Sequence, residues 1–199
     1  WEKKIIGFYG VDNPPAESLD YVSDMLHIMG SFIVSSIRRR NLLRQLERMS
    51  YRDQLTQFGN RYAVDWFVEH EWNGEQIGVV YCDITGLKKV NDEQGHEAGD
   101  RLIIRACECL AGVFKGYGLY RIGGDELLVL CLGIEEKDLR EHVEKLHMDM
   151  KEHQVTMAVG MIWKERGPKD IDLLLNESER LMYEDKDRYY KEHGLKRRR

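Results

Sequence analysis

Residues Tyr120 to Leu132, YRIGGDELLVLCL, constrain the fold more than any other stretch of the chain. Two β-favouring runs, Leu119 to Ile122 and Leu127 to Leu132, flank Gly123-Gly124-Asp125-Glu126, which predicts a β-hairpin turning on a glycine pair. Gly123 and Gly124 permit unusual backbone angles and remove side chains that would hold a bulky ligand away. Asp125 and Glu126 then stand at the tip as hard oxygen ligands or as a base. Taken alone, the turn reads equally well as a surface loop with solvated acids.

A second stretch favours the functional reading. Ile77 to Asp83, IGVVYCD, is a short apolar run that ends in an acid and is flanked by Gly78 and Gly86, the pattern of a buried strand delivering Asp83 to a surface. Lys88 follows five residues later. A carboxylate at a strand end, a nearby lysine and an acidic hairpin are what metal-assisted phosphoryl transfer requires, because carboxylates hold the ion while ion and ammonium together neutralise phosphate oxygens.

Composition sets the outer bounds. The 199 residues are 42% hydrophobic and 33% charged, which suits one globular domain with attachments, and the net charge of −5 gives no basis for general nucleic-acid binding. The basic clusters Arg38 to Arg40 and Lys196 to Arg199 read as solvated helix-face and tail charges. Cys82, Cys107, Cys109 and Cys131 lie in apolar runs and read as reduced core residues of a cytoplasmic protein; Cys107 and Cys109 are two apart on a predicted helix, which argues against their forming a metal pair. No run approaches a membrane span, so no membrane association is expected of this stretch. Beginning at Trp1 in the apparent middle of a domain, the chain reads as a piece of a longer protein.

Taken in order, Lys4 to Val11 has strand composition and stops at Pro14-Pro15. From Ser18 the pattern turns helical, with Leu19, Val22, Leu26, Met29, Ile33, Ile37, Leu42 or Leu43, Leu46 and Met49 on one stripe. A helix of about thirty residues with such a stripe needs a partner, and a parallel helix pair in a dimer is the favoured one. Asn60-Arg61 precede a helix whose apolar residues are Tyr62, Trp66 and Phe67, and Asn73-Gly74 closes it. Leu102, Ile103, Ala106, Leu110 and Phe114 define one face of a further helix. After the hairpin come an amphipathic helix over Glu135 to Gln154 with Leu139, Val143 and Leu146 inward, a strand over Val155 to Trp163, and a helix over Ile171 to Lys191. This order predicts an α/β sandwich with a mixed central sheet covered by helices.

The chain resembles the GGDEF family of diguanylate cyclases. The resemblance rests on RIGGDEL (Arg121 to Leu127), DQLTQFGNR (Asp53 to Arg61), DITGLKKVNDEQGHEAGD (Asp83 to Asp100), VTMAVGMI (Val155 to Ile162) and SERLMYEDK (Ser178 to Lys186), in family order across roughly residues 50 to 190. More weakly, the first strand, turn and long helix resemble the C-terminal end of a GAF sensor domain. The implied domains are a sensor remnant over 1–18, a helical stalk over 19–50, a GGDEF domain over 51–193 with a palm-like sheet shared with nucleotidyl cyclases, and a basic tail over 194–199.

The resemblance implies bacterial signal transduction by a homodimer that condenses two GTP into cyclic di-GMP with release of two pyrophosphates. By motif position, Asp83 and Asp125 hold two Mg²⁺ ions, or Mn²⁺ in their place, with the carbonyl of Ile84 as a further ligand. Asp125 or Glu126 accepts the proton of the attacking hydroxyl. Lys88 and Lys186 meet the terminal phosphates, Gly123 and Gly124 allow close approach of the nucleotide, and Asn91 and Asp100 read guanine. His96 shares that loop on the substrate side and positions it; Asp100 also suits a helix N-cap before Arg101.

This sequence departs from the family pattern at several positions. Gln57 and Phe58 stand where a glycine and a leucine are usual, so an altered turn is expected. Thr85 replaces a second acid, Leu87 an aromatic, Leu127 the closing phenylalanine and Tyr190 a second base. Phe114 and Tyr117 occupy the places of an Arg-x-x-Asp product-inhibition site, which is therefore expected to be absent. The alternative to an active cyclase is a GTP-binding signalling module without turnover.

Overall fold

The structure, a computed structural model, describes residues 10–12, 15–49, 51–168 and 171–194. It divides into two compact units, Trp1–Met49 and Ser50–Arg199. In the first, a short 3-10 turn (Ala16–Ser18) leads into α1 (Leu19–Met49), a helix of 31 residues. Leu19, Met29, Ile33, Leu42, Leu43 and Leu46 of its predicted stripe are exposed. Lys4 to Tyr9 of the expected first strand and Leu195 to Arg199 of the tail lie outside the described residues.

The second unit is built on β1 (Ile77–Ile84), in which all eight residues are buried. Its composition explains this: a strand of Val, Ile, Tyr and Cys with no charge before Asp83 has no face to offer water. The element order is α2 (Arg61–His70), β1, α3 (Leu87–Gln94), α4 (His96–Val113), β2 (Gly118–Arg121), β3 (Glu126–Leu132), α5 (Glu136–Glu152), β4 (Met157–Lys164) and α6 (Asp172–Glu192). The sheet runs β2-β3-β1-β4. Every pairing in it is antiparallel, so the α/β sandwich holds but the expected mixed sheet does not. The reason is topological: β1 and β2 point the same way, yet β3 inserts between them and separates the parallel strands.

Alternation along the strands divides the core into two layers. Val80, Cys82, Ile84, Leu127, Val129 and Cys131 pack with Leu102, Ile103, Ala106 and Leu110 of α4 and Leu139, Leu146 and Met150 of α5. Ile77, Val79, Tyr81, Leu128 and Leu130 pack with Val64 and Phe67 of α2 and Leu174 and Met182 of α6. On α2 the buried pair is Val64 and Phe67, whereas Trp66 is 40% exposed and stacks on His70. The helix phase is fixed by Asn60, whose side chain accepts the Ala63 N–H at 3.1 Å and so turns Val64, not Trp66, to the sheet.

The turn before α2 carries the Gln57 departure. Gln57 adopts φ 62°, a left-handed conformation, where the resemblance expects glycine. Asp53 holds the turn, its carboxylate accepting from the Thr56 backbone at 2.9 Å and hydroxyl at 2.7 Å. Replacing Gln57 with glycine is expected to stabilise the domain by about 0.5–1 kcal/mol, since the left-handed penalty of a side chain exceeds the entropy glycine adds to the unfolded chain. Thermal unfolding of the two proteins measures it; a fall in melting temperature would contradict this account of the turn.

Candidate active site

Strand register brings the acids together. Asp83, the penultimate residue of β1, pairs directly with Glu126, the first residue of β3, and the alternation that points Tyr81 and Leu128 toward α2 and α6 points both acids to that layer. Asp83 is 4% exposed. A buried carboxylate needs a counter-charge, and Lys186 of α6 supplies it with Nζ at 2.6 Å from Asp83 Oδ1. Glu126 shows how crowded the site is: burial first, then the neighbouring Asp125, Asp83 and Glu179, push its carboxyl up, against the opposing pull of Lys186. Asp83, Asp125, Glu126 and Lys186 thus form one electrostatic unit.

The hairpin differs from expectation in its details. The Ile122 N–H donates to the Glu126 carbonyl at 3.0 Å, so Glu126 belongs to the strand and Asp125 alone lies in the turn. Neither Gly123 nor Gly124 takes a positive φ. Gly123 leaves room for the Glu126 carboxylate: a Cβ there would stand 2.4 Å from Glu126 Oε2 and the side chain would have to turn away. The turn is tied to β1 by the Ile84 N–H, which donates to the Asp125 carbonyl at 2.9 Å.

Arg121 is a site residue that the sequence reading did not single out. Its Nη1 donates to Asp53 Oδ1 at 3.1 Å and its Nη2 to the Gly124 carbonyl at 2.8 Å, bracing the glycine turn against the turn before α2. Burial opposes the Asp53 carboxylate, and the Thr56 and Arg121 hydrogen bonds outweigh it to hold the carboxyl below its ordinary value. The available signal was a charge placed between apolar strand residues, which demands a buried partner.

The purine-reading candidates lie on α3 and α4. Gly86 (φ 85°) starts α3 and Gly95 (φ 83°) separates it from α4. α4 begins at His96, so Asp100 is in its second turn and is not an N-cap as expected; the Gly95 bend starts the helix earlier. His96, Asp100 and Lys88 are exposed, and among the described residues Lys88 makes no ion pair. Asn91 is half-buried against Gly99, where a Cβ would fall 1.9 Å from Asn91 Oδ1. Gly99 therefore sets where the Asn91 amide sits.

The departures from the family pattern are absorbed by packing. Leu127 is fully buried and Leu87 is 9% exposed in the same core layer. Thr85 Oγ1 is buried without a hydrogen-bond partner among the described residues. Phe114 is buried with its ring 5.5 Å from that of His142, and Tyr117 meets the same imidazole edge-on at 6.1 Å. Tyr190 stands edge-on to Tyr189. A cavity of about 340 Å³ adjoins Glu126, lined among others by Arg61, Tyr81, Asp172, Asn176 and Glu179.

Comparison with known proteins matches this arrangement. Residues 50–191 fit the family model described as diguanylate cyclase, GGDEF domain. An uncharacterised protein encoded in the hutH 5′ region of Streptomyces griseus is 33% identical over 119 residues, covering 56% of this chain and 49% of that protein. Diguanylate cyclase DgcP of Escherichia coli K12 is 27% identical over 184 residues, covering 81% of this chain and 54% of that one. The chain thus spans about half the length of these two relatives. Among solved structures, the coiled coil and GGDEF domain of DgcB from Caulobacter crescentus, in complex with c-di-GMP, superposes with a TM-score of 0.62 at 19% identity, covering 86% of this chain and 96% of that chain. Over its larger unit, this chain belongs to the GGDEF family.

Proposed function

We propose that this chain is the output module of a diguanylate cyclase, joining two GTP into cyclic di-GMP with release of two pyrophosphates. The observation that carries the reading is the pairing of Asp83 with Glu126 across β1 and β3, with Asp125 in the turn and Lys186 on Asp83. The family works with divalent metal ions, and this donor set fits one: three carboxylates share a small volume, and burial, with the charges of Asp125 and Asp83, pushes Glu126 toward protonation. Asp83, Asp125 and the Ile84 carbonyl would hold Mg²⁺, which when bound supplies Lewis acidity at the α-phosphate and a lower pKa for the attacking hydroxyl.

The remaining roles fall to the chain itself. Asp125 or Glu126 takes the proton of the attacking 3′-hydroxyl. Lys186, held beside the acids by Asp83, and Lys88, at the start of α3, meet the terminal phosphates and favour pyrophosphate as leaving group. Asp100 accepts from guanine N1–H and N2–H₂, which adenine lacks, and Asn91 meets the purine's other polar edge. The exposed apolar stripe of α1 serves as the stalk that pairs two chains, so that two GTP-loaded sites face one another. That the similar DgcB structure includes a coiled coil supports this use of α1.

The test is to incubate the chain with GTP and Mg²⁺, with and without a parallel coiled coil fused ahead of α1, and to detect cyclic di-GMP by mass spectrometry. Product from either form supports the cyclase. Silence from both, with GTP still bound, would leave the non-catalytic GTP-binding module, a reading favoured by Thr85 and Tyr190 at positions where charge is usual.

Two further outcomes follow from the geometry. Gly99→Ala should displace the Asn91 amide and raise the KM for GTP roughly 10-fold, the effect of one lost base contact. An unchanged KM would remove Asn91 from guanine reading. Added cyclic di-GMP should leave initial rates unchanged, since Phe114 and Tyr117 offer an aromatic cluster in place of a guanidinium and a carboxylate; inhibition that GTP does not relieve would contradict this.

A further inference from the structure

On the side of the domain where α5 packs against α4, a second set of ligands converges, with no counterpart in the cyclase chemistry. Cys109 of α4, Asp149 of α5 and His153 at the α5 C-cap each present one ligand atom, and these atoms all lie within 4.8 Å of one another. Asp149 and His153 are four residues apart and so lie side by side on one helix face. His153 Nδ1 donates to the Asp149 carbonyl at 3.0 Å and lies 3.5 Å from Asp149 Oδ2, so ligation through Nδ1 would exchange that hydrogen bond for the ion. We propose that Cys109, Asp149 and His153 form a binding site for a borderline-soft divalent metal of the Zn²⁺ class, bridging α4 and α5, with water completing the coordination.

Donor chemistry selects the metal. A thiol and an imidazole favour Zn²⁺ or Co²⁺ over Mg²⁺, whereas the all-oxygen set at Asp83 and Asp125 favours the harder ion, so the two sites sort metals by hardness. Charge also balances: on binding, the Cys109 thiol releases its proton to solvent, and thiolate plus carboxylate neutralise the dication. Glu108 and Glu152 lie near enough to His153 to add negative potential. Access is graded, with Cys109 fully buried while the His153 and Asp149 side chains are 42% and 31% exposed, so a hydrated ion enters from the helix surface. Cys107 stays outside the set, as its position two residues away on the helix requires.

Co²⁺ is the probe, added to the reduced full chain in excess Mg²⁺. The expected result is a sulfur-to-cobalt charge-transfer band in the near ultraviolet that saturates at equimolar metal, which an all-oxygen site cannot produce. Cys109→Ser should abolish the band, and His153→Ala should weaken Co²⁺ binding by at least roughly 10-fold. Zn²⁺ should raise the melting temperature of the parent but not of the His153→Ala protein. Should Cys109→Ser fail to fold, the exposed His153 variant decides the matter. Absence of the band, its persistence at parental affinity in His153→Ala, or its loss only in Cys107→Ser would overturn the proposal. All of these readouts are independent of GTP turnover, so failure of the cyclase reading would leave them unaffected.

Discussion

Replacing Asp125 with alanine is expected to lower cyclic di-GMP formation by about 10³-fold or more, the scale on which losing a charge-stabilising group depresses a chemical step. The same loss is expected of Asp83→Ala, but the two variants should differ in stability. Asp83 neutralises Lys186, whose side chain is only 15% exposed, so its removal strands a largely buried ammonium. Asp125 sits in the turn without such a dependant. Glu126→Gln provides the opposite sign in stability: it should raise the melting temperature, because burial first and then Asp125 and Asp83 push Glu126 toward protonation, and it should abolish turnover only if Glu126 and not Asp125 is the base.

The pH dependence follows from that direction. A carboxyl whose pKa is raised by folding contributes stability that is fully present below its unfolded pKa and is lost as pH rises through the folded one. The advantage of Glu126→Gln should therefore be largest at neutral pH, shrink as pH falls through the raised folded pKa, and be gone by about 4, where the residue is protonated whether folded or unfolded. Thermal melts of both proteins across that window measure it. An advantage that persisted undiminished in acid would mean that packing, not charge, separates them.

Gly160→Ala should be the most destabilising single methyl in the domain. In β4, Gly160 lets α6 approach so closely that a Cβ would stand 2.0 Å from the Ser178 carbonyl oxygen and 2.3 Å from the Met182 nitrogen. Both obstacles are backbone, so no rotamer change relieves them, and α6 must lift from the sheet. The expected cost is about 3 kcal/mol, roughly a 10 °C fall in melting temperature. Because α6 carries Lys186, and Asp185 beside it accepts the Val159 N–H at 3.0 Å, displacement of the helix should also impair turnover. A melting temperature within a degree or two of the parent would show that the approach of α6 is looser than described.

Much of this architecture was legible because it rests on local pattern. The apolar run to Asp83 and the glycine turn before Leu127 specify β1 and the hairpin, and strand register then sets Asp83 opposite Glu126. What escaped the sequence depends on contacts distant in the chain. Arg121 reaches Asp53 across 68 residues, and no local periodicity announces that bond. Gly123 and Gly99 leave room for particular atoms, Glu126 Oε2 and Asn91 Oδ1, which the sequence alone cannot name. The sequence places the start of α4 at Arg101, with Asp100 as its cap, whereas the positive φ of Gly95 lets the helix begin at His96. All four cysteines are free and buried, as their apolar runs imply, but spacing along α4 cannot show that Asp149 and His153, the partners proposed for Cys109, approach it from α5.

The most direct test of the central claim is the stoichiometry of turnover by the coiled-coil-fused protein in Mg²⁺. Pyrophosphate and cyclic di-GMP would be quantified in the same GTP reaction, with a parallel reaction in ATP. The account predicts two pyrophosphates for each cyclic di-GMP and neither product from ATP. Pyrophosphate or phosphate released from GTP without the cyclic dinucleotide would contradict it.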